Sequence, residues 1–251
     1  MTEPAGRGIS STGGVFGAGG VARPDGAPEP AATVVPLRDG PSGLEVLMLR
    51  RNATGTFAGM WVFPGGRVDP DDAAGGADEL EAARRAAARE AAEEAGVILE
   101  PGNLVALSHW TPPEGPGRRF PTWFFLADIG EGAEVRVDGG EIHEHAWISP
   151  ADALRRRDDG EITLAPPTWM TLHQLSGSPD AHSVLTRARS EAPILFATRI
   201  LRDGDVLVAT WAGDAAYVDG DLAAPGGRHR LTMDPAGWKV EVVLLGREER
   251  R

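Results

Sequence analysis

Apolar and polar positions change their period several times along the chain. Ala31–Leu37 (AATVVPL) and Leu44–Arg51 (LEVLMLRR) are apolar-rich runs around the turn signal Asp39-Gly40-Pro41-Ser42-Gly43, which predicts two paired strands. Trp61-Val62-Phe63 is a third short run, stopped by Pro64-Gly65-Gly66 as a strand followed by a tight loop. Over Asp78–Ala95 alanine dominates, and Gly96 follows as a helix stop. Strands are then expected over Leu104–Trp110, Thr122–Ile129 and Glu144–Ile148. Ser149-Pro150 opens a short helix to about Arg157, and Pro166-Pro167-Thr168-Trp169 opens another to about Leu175. Beyond Ser176 the pattern turns mainly to strands: Ile194–Leu201, Asp205–Trp211, Arg228–Met233 and Trp238–Leu245, with Asp203-Gly204 as a hairpin turn. The order predicts an α+β fold rather than a regular βαβ series.

Composition adds boundaries to this picture. The chain has 251 residues, enough for one domain with extensions. Residues 1–30 hold Gly, Pro, Ala and Ser with few large apolar groups, so they are expected to form a flexible tail. The expected organisation is therefore this tail, a main domain over 31–175 and a mainly β extension over 176–251. Cysteine is absent, which excludes disulfides, thiolate metal sites and a cysteine nucleophile. No apolar run reaches about 18 residues, so no membrane-spanning helix is expected. The N-terminal stretch MTEPAGRGISSTGG does not read as a secretory signal, and a cytoplasmic location is expected.

Charge then locates the chemistry. The net charge is −12, which speaks against a nucleic-acid polymer as partner. Half of that excess lies in residues 61–100, where ten acids face four arginines. Glu90, Glu93 and Glu94 sit at i, i+3 and i+4, so their carboxylates share one helix face. Each such like-charge pair costs a bare helix a few tenths of a kcal/mol, roughly, and the helix C-terminus disfavours anions further. A hard divalent cation resolves this conflict; surface ion pairing with Arg84, Arg85 and Arg89 is the bland alternative. The only lysine is Lys239, so lysine-based covalent chemistry is not expected.

Taken together, Glu81, then Arg89-Glu90, then Glu93-Glu94, then Gly96-Val97, preceded by Trp61-Val62-Phe63-Pro64-Gly65-Gly66, resemble the Nudix box of pyrophosphohydrolases, G-x5-E-x7-R-E-U-x-E-E-x-G-U, where U is bulky and aliphatic. The resemblance covers about residues 31–157. It implies a Nudix-type α/β/α sandwich with a mixed sheet, and hydrolysis of a diphosphate linkage in a nucleoside diphosphate joined to another moiety. It further implies Mg²⁺ or Mn²⁺ held by Glu90, Glu93, Glu94 and a backbone carbonyl of Gly66. Arg89 would pair with Glu81 or a neighbouring carboxylate, with Glu81, Gly65 and Gly96 supporting the box.

Two positions depart from the pattern. Ala91 replaces a bulky aliphatic residue. Gly75 gives the literal spacing to Glu81, but Gly65-Gly66 directly follows the strand and is taken as the family's glycine, with Gly75-Gly76 as slack in an inserted loop.

Family members often carry an acid six positions before a tryptophan. Glu141 holds that place relative to Trp147 and is the first candidate for base or further ligand, Glu144 the second. His143 and His145 share a strand face, so a separate zinc site is a minor alternative to exposed histidines. Arg118 and Arg119 lie in a Pro/Gly-rich loop and suit phosphate contacts as well as a solvated loop; Phe120 could stack on a base, whereas Trp123 reads as core.

The lead-in FPGGRVDPDD, the stretch Thr111-Pro112-Pro113-Glu114-Gly115 with its following arginine and Phe124-Phe125, and Pro166–Leu172 are similar to the peroxisomal-type coenzyme A diphosphatases and their bacterial relatives. They imply a CoA or acyl-CoA substrate. The final residues Glu248-Glu249-Arg250-Arg251 form no peroxisomal tripeptide. ADP-ribose, nucleotide sugars and dinucleotide polyphosphates stay open, as does a non-catalytic nucleotide-binding regulator. The extension over 176–251 could serve a homodimer interface or pack on its own core.

Overall fold

A computed structural model describes residues 27–52, 57–115, 117–130, 132–137 and 139–243. Most of the expected tail, residues 1–26, lies outside the described residues, as does the end of the last predicted strand. Residues 27–30 are not tail-like: Glu29 is buried, and its N–H donates to the carbonyl of Arg119 at 2.9 Å.

The chain forms β1 (Ala31–Gly40), β2 (Gly43–Arg51), β3 (Trp61–Val62), β4 (Gly65–Arg67), α1 (Glu79–Ala95), β5 (Val105–Thr111), β6 (Thr122–Asp128), β7 (Ile142–Ile148), α2 (Pro150–Asp158), α3 (Pro166–Leu175), α4 (Ala181–Ser190), β8 (Ile194–Ala197), β9 (Arg199–Asp203), β10 (Val206–Thr210), β11 (Arg228–Asp234) and β12 (Gly237–Val243). The first eight strands make one mixed sheet in the order β3-β2-β1-β6-β5-β8, with β4 on β1 and β7 on β2. Pairing of β1 with β6 and of β5 with β8 is parallel; the remaining pairs are antiparallel. Strands β9–β12 form a second, four-stranded antiparallel sheet.

The α1 helix covers one face of the large sheet. Asp78 caps it, its side chain accepting from the N–H of Glu81 at 2.8 Å. Gly96, in the left-handed conformation (φ 67°), ends it. Ala83, Ala86, Ala87, Ala91 and Ala95 are buried against Ala32, Val34 and Phe125. Ala91 is completely buried, so the small side chain there brings helix and sheet close together rather than leaving a gap.

The opposite face is covered by α3, α4 and the second sheet, around Trp110, Phe124, Trp169, Phe196 and Trp211. Trp110 stacks on Phe196 at 4.0 Å and meets Trp211 edge-on at 5.6 Å. Trp238 of β12 lies 5.8 Å from Trp169 of α3, and the Arg157 guanidinium sits 4.1 Å over the Trp238 ring. Inside the second sheet, the completely buried Asp214 side chain accepts from Nε and Nη2 of Arg230 at 2.7 and 2.6 Å. Burial pushes the Asp214 carboxyl up, but Arg230 and the N–H groups of His229 and Ala216 outweigh it and hold it at about 2.

Three elements depart from the sequence expectation. Strand β4 has no hydrophobic pattern and exists through pairing of Gly65-Gly66-Arg67 with Thr33-Ala32-Ala31. Helix α4 stands in a segment expected to be mainly β; Asp180 caps it and Ala181, Val184 and Leu185 form its buried stripe. The run expected as one strand over 194–201 is two, because the chain passes from the large sheet to the small one at Thr198.

Candidate active site

The strand–loop–helix from β3 to α1 folds back on itself. Pairing of β4 with β1 lays Gly65 and Gly66 beside the C-terminal half of α1. The Gly65 N–H donates to Glu94 Oε2 at 3.0 Å. A Cβ on Gly66 would lie 2.3 Å from Glu90 Oε1, and one on Gly65 would lie 2.5 Å from the carbonyl oxygen of Ala32. Only glycine permits this approach. By contrast, Gly75 and Gly76 have positive φ in a loop where an added Cβ would meet nothing.

The three box carboxylates have different surroundings. Glu94 is nearly buried, and burial pushes its carboxyl up to about 7 against the Gly65 N–H and the Arg51 guanidinium. Burial also raises Glu90, with Arg89 opposing. Glu93 is 60% exposed and bonds to Nη1 of Arg89 at 3.2 Å. No three acidic or histidine side chains converge at metal-ligand distance among the described residues.

Arg89 ties the cluster together. Its Nη1 donates to Glu90 at 2.8 Å, while Nη2 and Nε grip Asp72 at 2.9 and 3.3 Å and Nη2 also reaches the carbonyl of Arg67 at 3.0 Å. Asp72, on the inserted loop, is buried and accepts from the N–H of Asp69. The fork with Asp72 raises the Arg89 guanidinium further above its ordinary range. Glu81 instead pairs with Arg85, four residues on, so of the two expected kinds of partner Arg89 holds the neighbouring carboxylates and not Glu81. Arg85 in turn holds the inserted loop through the carbonyl of Ala74 at 2.8 Å.

Glu90, Glu94 and the two glycines border a cavity of about 650 Å³, whereas Arg89 and Glu93 are not among its lining residues. Glu90, Glu94, Gly65, Gly66 and Glu141 line one side; Arg67, Arg118 and Phe120 line another; Phe63, Trp110, Phe124, Pro167 and Thr198 add an apolar part. Thr198 and α3 thus bring chain beyond the box into the same cavity. Arg119, Glu144 and Gly96 are not among the lining residues. Glu144 pairs with Arg50 at 3.2 Å, and Gly96 serves the end of α1. Trp123 is not among the lining residues; its ring lies tilted 4.6 Å from His109 and donates to Glu79 at 3.0 Å. His143 and His145 are exposed on β7, and no metal-ligating group of three includes them among the described residues.

Sequence reasoning missed Arg51 and Asp72. Arg51 bridges Glu94 at 3.4 Å and Glu141 at 2.5 Å from the end of β2. Its place as the last polar residue of a strand entering the loop before Trp61 is a usable signal. Nothing in the spacing singles out Asp72 from its acidic neighbours in the inserted loop.

The chain matches the NUDIX domain family over residues 27–187. It belongs to the Nudix family. It is similar to the CTP pyrophosphohydrolase of Escherichia coli, 32% identical over 121 residues, which cover 47% of this chain and 73% of that protein. It is also 30% identical over 117 residues to the acyl-coenzyme A diphosphatase of Homo sapiens, covering 45% of this chain and 31% of that protein. The NUDIX hydrolase structure from Alicyclobacillus acidocaldarius matches with a TM-score of 0.59 at 27% identity, covering 64% of this chain and 96% of the other. The Nudix chain is thus a pyrophosphohydrolase with the mixed-sheet fold of its family and a β-rich C-terminal part. Nudix hydrolases generally use divalent metals. No helix among the described residues is long and apolar enough to cross a membrane.

Proposed function

We propose that this Nudix hydrolase cleaves the diphosphate linkage of CoA or an acyl-CoA, giving adenosine 3′,5′-bisphosphate and a phosphopantetheine. The observation that carries this reading is the cavity itself. It joins the Glu90–Glu94 wall and the Gly65–Gly66 backbone to an arginine side and an extended apolar part. Its size falls within the range of about 300–1,000 Å³ that encloses small-molecule ligands. The partial match to the human acyl-CoA diphosphatase supports the same substrate class.

The residues fit Mg²⁺ or Mn²⁺. The Glu90 carboxylate raises the proton affinity of Glu94, and both face a glycine cradle that a single methyl group would fill. Glu90, Glu93, Glu94 and the Gly66 carbonyl would hold the ion; Glu93 shares their helix face. When bound, such an ion neutralises phosphate charge and lowers the pKa of water. Arg89 keeps Glu90 turned toward the glycines, and the Glu141 carboxylate takes the proton of the attacking water. Arg118 and Phe120 border the space for the nucleotide.

A second reading, hydrolysis of a nucleoside triphosphate, rests on the match to the CTP pyrophosphohydrolase. ADP-ribose, nucleotide sugars and dinucleotide polyphosphates are the other members of the test set. A panel of CoA, acetyl-CoA, ADP-ribose, UDP-glucose, diadenosine tetraphosphate and CTP, with Mg²⁺ or Mn²⁺ and products identified by mass, decides between them. Cleavage of CoA or acetyl-CoA that is lost in Glu93→Gln supports the proposal. Cleavage of another compound with CoA and acetyl-CoA untouched overturns it.

A further inference from the structure

The cavity carries a second charged feature, away from the box carboxylates. Glu29 sits two residues before β1, and its side chain is only 10% exposed. The two segments that flank the start of β1 each present an arginine to it. Arg67 of β4 reaches Glu29 Oε2 with Nη1 at 3.4 Å, and Arg118, just before β6, reaches Oε1 with Nε at 3.4 Å. Backbone bonds set this register: the N–H of Glu29 to the carbonyl of Arg119 at 2.9 Å, and the N–H of Val68 to the carbonyl of Pro30 at 2.9 Å. Both arginines line the cavity.

One buried carboxylate faces two arginines here, on a cavity whose other wall is acidic. Glu29 Oε1 is buried without a hydrogen-bond partner. A buried, under-bonded carboxylate is costly for stability alone. It holds two long side chains beside one another on the cavity wall. Arginine forks match phosphate oxygens. A diphosphate approached through cations at the acidic wall does not need this second positive group; a separate phosphomonoester on the same molecule does.

We infer that Arg67 and Arg118, held by Glu29, form a subsite for a phosphomonoester distant from the scissile diphosphate, namely the 3′-phosphate on the ribose of CoA. This inference rests on the CoA reading for its natural ligand, but its test does not need hydrolysis. The metal-free protein is titrated calorimetrically with adenosine 3′,5′-bisphosphate and with AMP, which lacks the 3′-phosphate. The wild type is expected to bind the bisphosphate at least about tenfold more tightly, and Arg67→Ala/Arg118→Ala to bring the ratio near one. Arg67→Ala alone, at an exposed side chain, lowers the ratio and serves if the double variant does not fold by circular dichroism. Equal affinity of the wild type for both nucleotides, undetectable binding of both, or an unchanged ratio in the folded variants overturns the inference. Failure of the wild type to cleave CoA or acetyl-CoA counts against the proposed function, whereas the binding ratio alone judges the subsite.

Discussion

Gly66 and Glu90 are so close that a methyl group on the glycine would lie 2.3 Å from the carboxylate oxygen. The carboxylate is the far end of a flexible side chain, so Gly66→Ala should leave the fold intact and push Glu90 aside. A displacement of about 1 Å at a reacting centre can cost about a hundredfold in rate. The expected result is a loss of kcat/KM of that order with a melting temperature near wild type. Gly75→Ala meets open space and costs about 1–2 kcal/mol through its left-handed backbone, with activity retained. The opposite pattern would move the functional glycine to position 75.

Asp72 holds Arg89 by two nitrogens, and Arg89 holds Glu90 and Glu93. Asp72→Ala leaves a part-buried guanidinium without its main partner, and a destabilisation of about 1–3 kcal/mol is expected in urea unfolding. Arg89→Lys should not restore activity, because an ammonium cannot make the two-point contact with Asp72 while bonding Glu90. Wild-type turnover by Arg89→Lys would contradict this account.

Much of this site was legible in the sequence because its carboxylates follow helical spacing and its glycines follow a strand. Helix α1 shifted by a single residue, since Asp78 proved to be its cap. What the sequence did not reveal depends on distant pairing. Strand β4 consists of residues with no apolar pattern and is set by β1. Helix α4 has only Val184 and Leu185 as large buried residues, too few to outweigh a neighbourhood rich in strands. Arg51 and Glu29 gain their roles from segments far along the chain, which local spacing cannot report.

Glu141 lines the cavity and Glu144 does not. Glu141→Gln should therefore lower kcat by about a hundredfold on the compound that the hydrolysis panel identifies, and Glu144→Gln should leave it unchanged. Equal effects would assign neither residue as the base.

The Asp214–Arg230 pair predicts an acid limb in stability. The folded carboxyl sits at about 2, below its ordinary value of 3.8, so the unfolded chain takes up the proton first as pH falls. The contribution is fully present above about pH 5, declines below about pH 4 and is mostly lost near pH 2, amounting to about 2 kcal/mol. Urea unfolding at pH 5 and pH 2 should show a drop smaller by that amount in Asp214→Asn. An identical drop in both proteins would mean that the pair contributes nothing to acid sensitivity.

Truncation after Ser176 removes α4, β8 and the second sheet, and with them Phe196 from Trp110 and Trp238 from Trp169. Uncovering these tryptophans should abolish soluble, cooperatively melting protein. A folded, active fragment would show that the extension is dispensable.

Thr198 lies where the chain steps from one sheet to the other, accepting a bond from Trp211 Nε1 at 3.1 Å while bordering the cavity. The wall of the cavity is consequently drawn from the box segment and from chain well beyond it. A substitution in the second sheet that moves Thr198 would reshape the enclosure without altering a single acidic group of the box.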